Sequence, residues 1–93
     1  MNETLAQVWI LRDICPMAFR FERLETFREY RDLFTIGVEE LAQYGFFYAG
    51  NAERPDQVCC FWCQGFLYDW EPFDNALEQH RALLPWCPVF GRP

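Results

Sequence analysis

The 93-residue sequence predicts a small α+β domain in which short helices surround a three-stranded antiparallel sheet. Three observations predict this class. Apolar residues recur at three- and four-residue spacing in the first half of the chain, which is typical of helices. After Gly45 the pattern changes to short alternating segments bounded by turn residues, which is typical of strands. The second half also contains three cysteines and a histidine at the spacing of metal ligands. A metal bound by them would stabilise a small core.

The composition fits one folded domain and excludes several classes of protein. Apolar residues make up 52% and aromatic residues 19% of the chain, too much for a disordered protein. A net charge of −6 with scattered arginines leaves no basic stripe, so we expect no nucleic-acid binding. The longest apolar runs span about one helical turn, against roughly 18 residues for a membrane span, so we expect no membrane association.

The first residues and the cysteine count indicate a reducing compartment. Residues 1–4 contain an acidic residue and no basic one, unlike a secretory signal. The five cysteines are an odd number, which does not suggest a disulfide framework. We therefore expect a cytoplasmic protein with reduced cysteines.

The N-terminal segment has more apolar residues than one helix face can hold. Residues 3–15 have the composition of a helix, with Thr4 as N-cap and Pro16 after its end. The apolar residues of this segment are Leu5, Val8, Trp9, Ile10, Leu11 and Ile14. They predict burial against a partner or in a homodimer formed through this helix, with packing onto the chain's own core as the alternative. Residues 1–19 are thus an N-terminal helical extension, and residues 20–93 form the domain.

Two further helices are predicted before the sheet. A helix around residues 20–30 is predicted by Phe19, Arg23, Phe27 and Tyr30, which recur at three- and four-residue spacing. Residues 37–45 form a better delimited helix, with two glutamates in its first turn. Gly37 can cap this helix, and Gly45 suits the left-handed conformation that often follows a helix.

The sheet and one more helix are predicted in the second half of the chain. Three strands are predicted at residues 46–49, 57–61 and 66–70, separated by turn-rich segments. A short helix over residues 76–84 then carries His80. The layout is that of a sheet covered by helices.

Three cysteines and one histidine have the spacing of a zinc site. Cys60 and Cys63 form a Cys-x2-Cys pair, which directs two thiolates at one point when it lies on a tight turn. His80 follows after sixteen residues, and Cys87 after six more. Thiolates with one imidazole favour zinc, and four protein ligands leave no open position, so we expect one structural Zn²⁺. The alternatives are a chance arrangement of buried side chains, or Cys59 in place of Cys60.

This assignment argues against an enzyme. If His80 holds zinc, no histidine remains as a general base, because the chain contains one histidine. A thiol enzyme that uses Cys15 or Cys59 would lack nearby basic groups to lower the thiol pKa. We therefore expect a protein without catalytic activity.

Residues 20–90 contain a succession of six short motifs. They are Arg23-Leu-Glu-Thr26-Phe27, Leu41-Ala-Gln-Tyr-Gly45-Phe-Phe-Tyr48, Val58-Cys-Cys60-Phe61-Trp-Cys63, Leu67-Tyr-Asp-Trp70-Glu-Pro, Glu78-Gln-His80 and Leu84-Pro85-Trp-Cys87. Together they resemble the motifs of the BIR domain, the zinc module of the inhibitor-of-apoptosis (IAP) family. The resemblance implies a single BIR domain over residues 20–93 with the zinc-binding BIR fold.

The resemblance also implies a non-enzymatic protein-interaction module that inhibits or regulates apoptosis. Family members bind caspases, pro-apoptotic IAP antagonists or signalling adaptors. Short, single-BIR chains also suit a viral apoptosis inhibitor. The alternative is a survivin-like adaptor of mitotic chromosomes, because residues 53–56 and 70–72 are similar to that BIR protein.

In the groove-bearing class of BIR domains, the third strand pairs with an N-terminal peptide that begins with Ala. An acidic side chain binds the peptide's amine, and an apolar wall contacts its first residues. By resemblance, the strand residues are Leu67, Tyr68 and Asp69, the acid is Asp74, and the wall is Leu83 and Leu84.

Three positions depart from the groove-bearing pattern. Leu83 stands where Trp is usual, Ala76 where Pro is common, and Phe66 where a small residue is typical. These departures resemble the grooveless class, which contacts adaptor proteins through helical surfaces. We therefore expect a weak peptide groove in which Asp74 remains a partial amine site, and binding of partners through helical or loop surfaces instead.

Overall fold

The computed structural model describes residues 15–90, apart from the side chain of Val89. Apart from Cys15, the helix expected over residues 3–15 lies outside the described residues, as does the homodimer expected through it. The helices are α1 (Arg20–Glu25), α2 (Val38–Gln43) and α3 (Ala76–Leu83), with 3₁₀ turns at Pro16–Ala18, Arg31–Leu33 and Pro88–Phe90. The strands are β1 (Phe46–Tyr48), β2 (Val58–Cys60) and β3 (Phe66–Leu67).

Helix α1 is shorter than the predicted helix over residues 20–30. It ends at Glu25, after which the backbone tightens into turns. The N–H of Phe27 donates to the carbonyl of Leu24 at 3.0 Å, and that of Tyr30 donates to the carbonyl of Phe27 at 2.9 Å. These bonds reach back three residues rather than four, which is the 3₁₀ pattern. The same turn contains Phe27, which is completely buried.

Helix α2 has the ends that its glycines predict. Gly37 is the N-cap, with φ −68° and ψ 131°. Gly45 has φ +103°, a conformation that residues with a Cβ rarely adopt. This turn reverses the chain directly into β1, so α2 packs over the sheet that follows it.

The three strands form one antiparallel sheet in the order β1-β2-β3, as predicted. Phe46 pairs with Cys60 across β1 and β2, and Cys59 pairs with both Phe47 and Phe66. Because side chains alternate along a strand, the inner face carries Cys60 and the outer face carries Cys59.

Strand β3 is shorter than the predicted strand over residues 66–70. Asp69 has φ +61°, which is incompatible with a strand. The N–H groups of Asp69 and Trp70 donate to the carboxylate of Asp56, at 3.0 and 2.8 Å. The carboxylate of Asp56, in the loop before β2, therefore replaces the sheet partner beyond Leu67.

The core lies between the inner face of the sheet and the helices. Its buried residues are Phe27, Ile36, Val38, Leu41, Ala42, Phe46, Val58, Cys60, Leu67, Trp70, Ala76, Leu84 and Cys87. Trp70 meets Phe46 edge-on, with ring centroids 6.0 Å apart. No helix in the described part of the chain is long and apolar enough to cross a membrane.

Candidate metal centre and binding edge

The three cysteines and the histidine of the predicted zinc site come together at one end of the sheet. Their ligand atoms all lie within 4.8 Å of one another. Cys60 ends β2, Cys63 lies in the following turn, His80 is in α3, and Cys87 follows α3. Cys60, His80 and Cys87 are buried, and the sulfur atoms of Cys60 and Cys87 are 3.6 Å apart. This group could hold one metal ion.

The turn after β2 prepares Cys60 to act as a ligand. The N–H of Trp62 donates to the Cys60 sulfur at 3.3 Å, and the N–H of Gln64 donates to the Cys60 carbonyl at 2.8 Å. Burial raises the pKa of the Cys60 thiol, an effect that the hydrogen bond from Trp62 partly offsets. A cation beside the sulfur would favour the thiolate form that coordinates metals.

His80 has the properties of a neutral ligand. It is completely buried between Phe46 and Phe90, with ring centroids 4.5 and 4.8 Å away. Burial lowers the pKa of the imidazole, an effect that the backbone of Tyr44 partly offsets. Among the described residues, neither ring nitrogen has a hydrogen-bond partner of good geometry. Since such buried nitrogens are costly, coordination of a metal by one of them fits the site.

Cys59 is not part of this group. It lies on the outer face of the sheet and is 6% exposed. In the described part of the chain, its thiol makes one hydrogen bond, to the Cys60 carbonyl at 3.6 Å. Burial, together with the neighbouring thiols of Cys60 and Cys63, raises the pKa of the Cys59 thiol to about 11. A protonated thiol is a poor nucleophile, which argues against a thiol enzyme using Cys59. Cys15, the other candidate, is exposed.

A shallow depression lies beside β3. Its volume is about 30 Å³, and the expected peptide-site residues that line it are Leu67, Tyr68, Asp69, Asp74 and Leu83. Leu84, expected in the same wall, lies instead in the core. A Cβ at position 65 would be 2.6 Å from Leu84 Cδ2, so Gly65 allows this packing. Of the two leucines expected to form the wall, Leu83 alone lines the depression, and it is 55% exposed.

Two residues that the sequence reasoning missed also line the depression: Trp70 and Gln79. Gln79 precedes Leu83 by one helical turn on α3, so helical spacing could have identified it. Trp70 lies beyond the end of β3, and the pattern that predicted a strand over residues 66–70 does not indicate its place in the depression.

Polar contacts around the depression hold its acidic and aromatic groups in position. Asp74 accepts a hydrogen bond from the N–H of Glu71 at 2.8 Å. The guanidinium of Arg54 lies 3.9 Å from the centre of the Tyr68 ring, a cation–π contact. A volume of about 30 Å³ is close to one water molecule's share of the liquid, so the depression is shallow rather than a preformed side-chain pocket.

The fold and the cysteine–histidine group define a small α+β domain with a candidate metal site. Residues 23–91 match the family model described as BIR, Inhibitor of Apoptosis domain. The chain therefore belongs to the BIR family of inhibitor-of-apoptosis proteins, as its motifs indicated. A BIR domain is a protein-interaction module, so the class of function expected from the sequence is confirmed.

Relatives with curated names are longer proteins that contain a similar segment. The chain is 39% identical over 75 residues to Death-associated inhibitor of apoptosis 2 of Drosophila melanogaster, covering 80% of this chain and 14% of that protein. It is 44% identical over 71 residues to E3 ubiquitin-protein ligase XIAP of Rattus norvegicus, covering 75% of this chain and 14% of the relative. The chain thus spans 14% of the length of each of these two relatives.

Solved structures of BIR domains share the fold. The autoinhibited dIAP1-BIR1 domain superposes with a TM-score of 0.69 at 29% identity, covering 82% of this chain and 74% of that one. The DIAP1 BIR1 domain bound to a Grim peptide gives a TM-score of 0.68 at 29% identity, covering 78% and 71%. These likenesses confirm the α+β BIR fold that the sequence predicted.

Proposed function

We propose that this domain regulates apoptosis by binding the N-terminus of a pro-apoptotic IAP antagonist along the outer edge of β3. The observation that carries this proposal is the convergence of Asp74, Leu83 and β3 on one depression. Within the described chain β3 pairs with β2 alone, so its other edge is available to a peptide strand. The similar DIAP1 BIR1 domain is known bound to a Grim peptide.

Each part of the depression has a chemical task in this proposal. The backbone of Leu67 and Tyr68 pairs with the peptide, as in β-augmentation. The carboxylate of Asp74 binds the peptide's free amine, and Leu83 contacts its first side chain. Binding is weak, since the depression is shallow and its wall is a leucine.

The proposal includes one structural Zn²⁺ held by Cys60, Cys63, His80 and Cys87. Three thiolates and one imidazole are a donor set typical of tetrahedral structural zinc. When bound, the ion supplies a cross-link between β2, the turn after it and α3. The domain would act in the cytoplasm, where glutathione and thioredoxin keep such cysteines reduced.

Fluorescence polarisation of the zinc-loaded chain with a labelled Ala-Val-Pro-Ile peptide tests this function. We expect a Kd above about 1 μM, and loss of binding when the peptide's amine is acetylated. Asp74→Asn should weaken binding about tenfold, because it removes a charge-assisted contact. The matched control is Glu78→Gln, an exposed acid of α3 that does not line the depression.

Two results would contradict parts of the proposal. Equal binding of the free and the acetylated peptide would exclude capture of the amine at Asp74. Submicromolar affinity would show that the groove is strong and that its departures from the groove-bearing pattern do not matter.

An adaptor-binding surface on α1 is the second candidate. Phe21 is 63% exposed there and lines a small cleft of about 160 Å³ with Leu24 and Arg28. An adaptor bound in this way would be lost on Phe21→Asp and retained on Asp74→Asn. A pull-down of a caspase, an adaptor and the Ala-starting peptide with these two variants separates the candidates.

A further inference from the structure

The outer face of the sheet carries a groove of about 550 Å³ that belongs neither to the metal centre nor to the peptide edge. Its floor is the row Phe47, Cys59 and Phe66, which the register aligns across the three strands. The full lining is Cys15, Pro16, Met17, Phe47, Ala49, Cys59, Phe61, Gln64 and Phe66. We call this cavity the outer-face groove.

The chemistry of the outer-face groove is that of a surface for apolar protein side chains. None of the described residues that line it is charged, although the chain has a net charge of −6. Phe66 is 53% exposed, while Cys59, its neighbour across β2 and β3, is 6% exposed. Small-molecule sites combine an apolar cleft with a few converging polar groups, and Gln64 supplies the one side-chain amide here. An apolar segment of protein therefore fits the groove better than a small molecule.

The chain itself supplies such a segment next to the groove. Cys15, Pro16 and Met17 form one wall, and residues 1–14 immediately precede that wall. The apolar residues of this segment are Leu5, Val8, Trp9, Ile10, Leu11 and Ile14. A segment joined directly to its binding site has an effective concentration of the order of millimolar, which favours it over a separate copy.

We propose that residues 1–14 bind in the outer-face groove of the same chain. The segment covers Phe66 on β3 and Phe47 on β1, on the side of the sheet opposite the metal centre. This inference concerns a surface that the proposed peptide edge does not use, so it stands independently of that function.

Limited trypsin digestion of the zinc-loaded full chain tests the proposal, because Arg12 is the one basic residue within residues 1–14. Mass spectrometry follows the appearance of the fragment that ends at Arg12. A bound segment resists the protease, because cleavage requires that it first leave the groove.

Two full-chain variants release the segment from opposite sides. Phe66→Asp places a charge in the groove, and Ile10→Asp places one in the segment while leaving the described fold untouched. Each should raise the rate of cleavage at Arg12 about tenfold or more, since burial of a large apolar side chain is lost. Phe73→Asp is the matched control, because Phe73 is 98% exposed and lies outside the groove.

The proposal is overturned if Ile10→Asp is cleaved at the rate of the unaltered chain. It is also overturned if protection increases with protein concentration and light scattering gives the mass of a dimer, because the occupant is then a second copy. Cleavage that is slow in the unaltered chain, independent of concentration and accelerated by both variants supports it.

Discussion

Leu83 is one of the residues at which the chain departs from the groove-bearing pattern, and it lines the depression beside β3. We predict that Leu83→Trp strengthens binding of an Ala-starting peptide by up to about tenfold, because an aromatic wall adds roughly 0.5–1.5 kcal/mol beyond its area. Polarisation titrations measure the change. Ala82→Trp is the control, an exposed neighbour on α3 outside the depression. A weakly binding chain that gains nothing from Leu83→Trp would show that the wall does not limit affinity.

Arg23 is the buried cation of the described core, and its guanidinium joins three parts of the fold. Its Nε donates to the carbonyl of Ala42 at 2.8 Å, and its Nη1 donates to that of Met17 at 3.0 Å. Its guanidinium carbon also lies 4.8 Å from the centre of the Phe61 ring. The side chain is 6% exposed, so its hydrogen bonds are protected from water.

We predict that Arg23→Met lowers the free energy of unfolding by about 3 kcal/mol, because it removes two charged hydrogen bonds, to the carbonyl groups of Ala42 and Met17. Urea unfolding of the zinc-loaded chain measures the loss. Arg28→Met is the control, since Arg28 makes an exposed ion pair with Glu25 at 3.7 Å, a kind that contributes less than about 1 kcal/mol. Equal losses in the two variants would show that the contacts of Arg23 contribute no more than a surface pair.

At the scale of elements, the end of β3 depends on a carboxylate from the loop before β2. We predict that Asp56→Ala lowers the free energy of unfolding by about 2 kcal/mol, because the N–H groups of Asp69 and Trp70 lose their charged acceptor. Peptide binding should weaken as well, since both residues line the depression. Urea unfolding and polarisation measure the two effects.

Glu53→Ala is the control for Asp56→Ala, because it removes an exposed acid from the same loop. If both variants unfold at the same urea concentration, the Asp56 carboxylate does not hold the end of β3.

Features set by neighbouring residues could be predicted from the sequence, and features set by distant residues could not. Gly37 and Gly45 mark the ends of α2 through their own backbone preferences. The two-residue spacing between Cys60 and Cys63 likewise predicts the tight turn that joins them. By contrast, the alternation of residues 66–70 predicted a strand over the whole segment. It could not show that Asp56, a residue outside the segment, accepts the hydrogen bonds of Asp69 and Trp70 and so ends β3 at Leu67. The place of Trp70 in the depression was missed for the same reason.

At the scale of the whole molecule, the cysteine–histidine group is where the sheet, the turn after β2 and α3 meet. We predict that the domain binds one Zn²⁺ and unfolds when it is removed, because structural zinc contributes on the order of 10 kcal/mol against a small core. Cys63→Ala and His80→Ala should likewise unfold the domain. Elemental analysis gives the stoichiometry, and dispersion of amide resonances before and after chelation reports folding.

Cys59→Ala is the control for these variants, because Cys59 lies on the outer face and not among the four clustered residues. It should keep both the metal and the fold. A folded chain that contains no zinc would exclude a structural role for the ion.

The adjacent cysteines of β2 create an ambiguity of strand register that the turn length resolves. A slip of one residue would turn every side chain of β2 to the opposite face, so that Cys59 would replace Cys60 on the inner face. Apolar patterning opposes this slip weakly, because Val58, Cys59 and Cys60 are all buried. Cys60 is separated from Cys63 by two residues and Cys59 by three, and the shorter separation suits a tight chelating turn. Coordination of a metal by Cys60 and Cys63 would therefore favour the strand register that places Cys60 on the inner face.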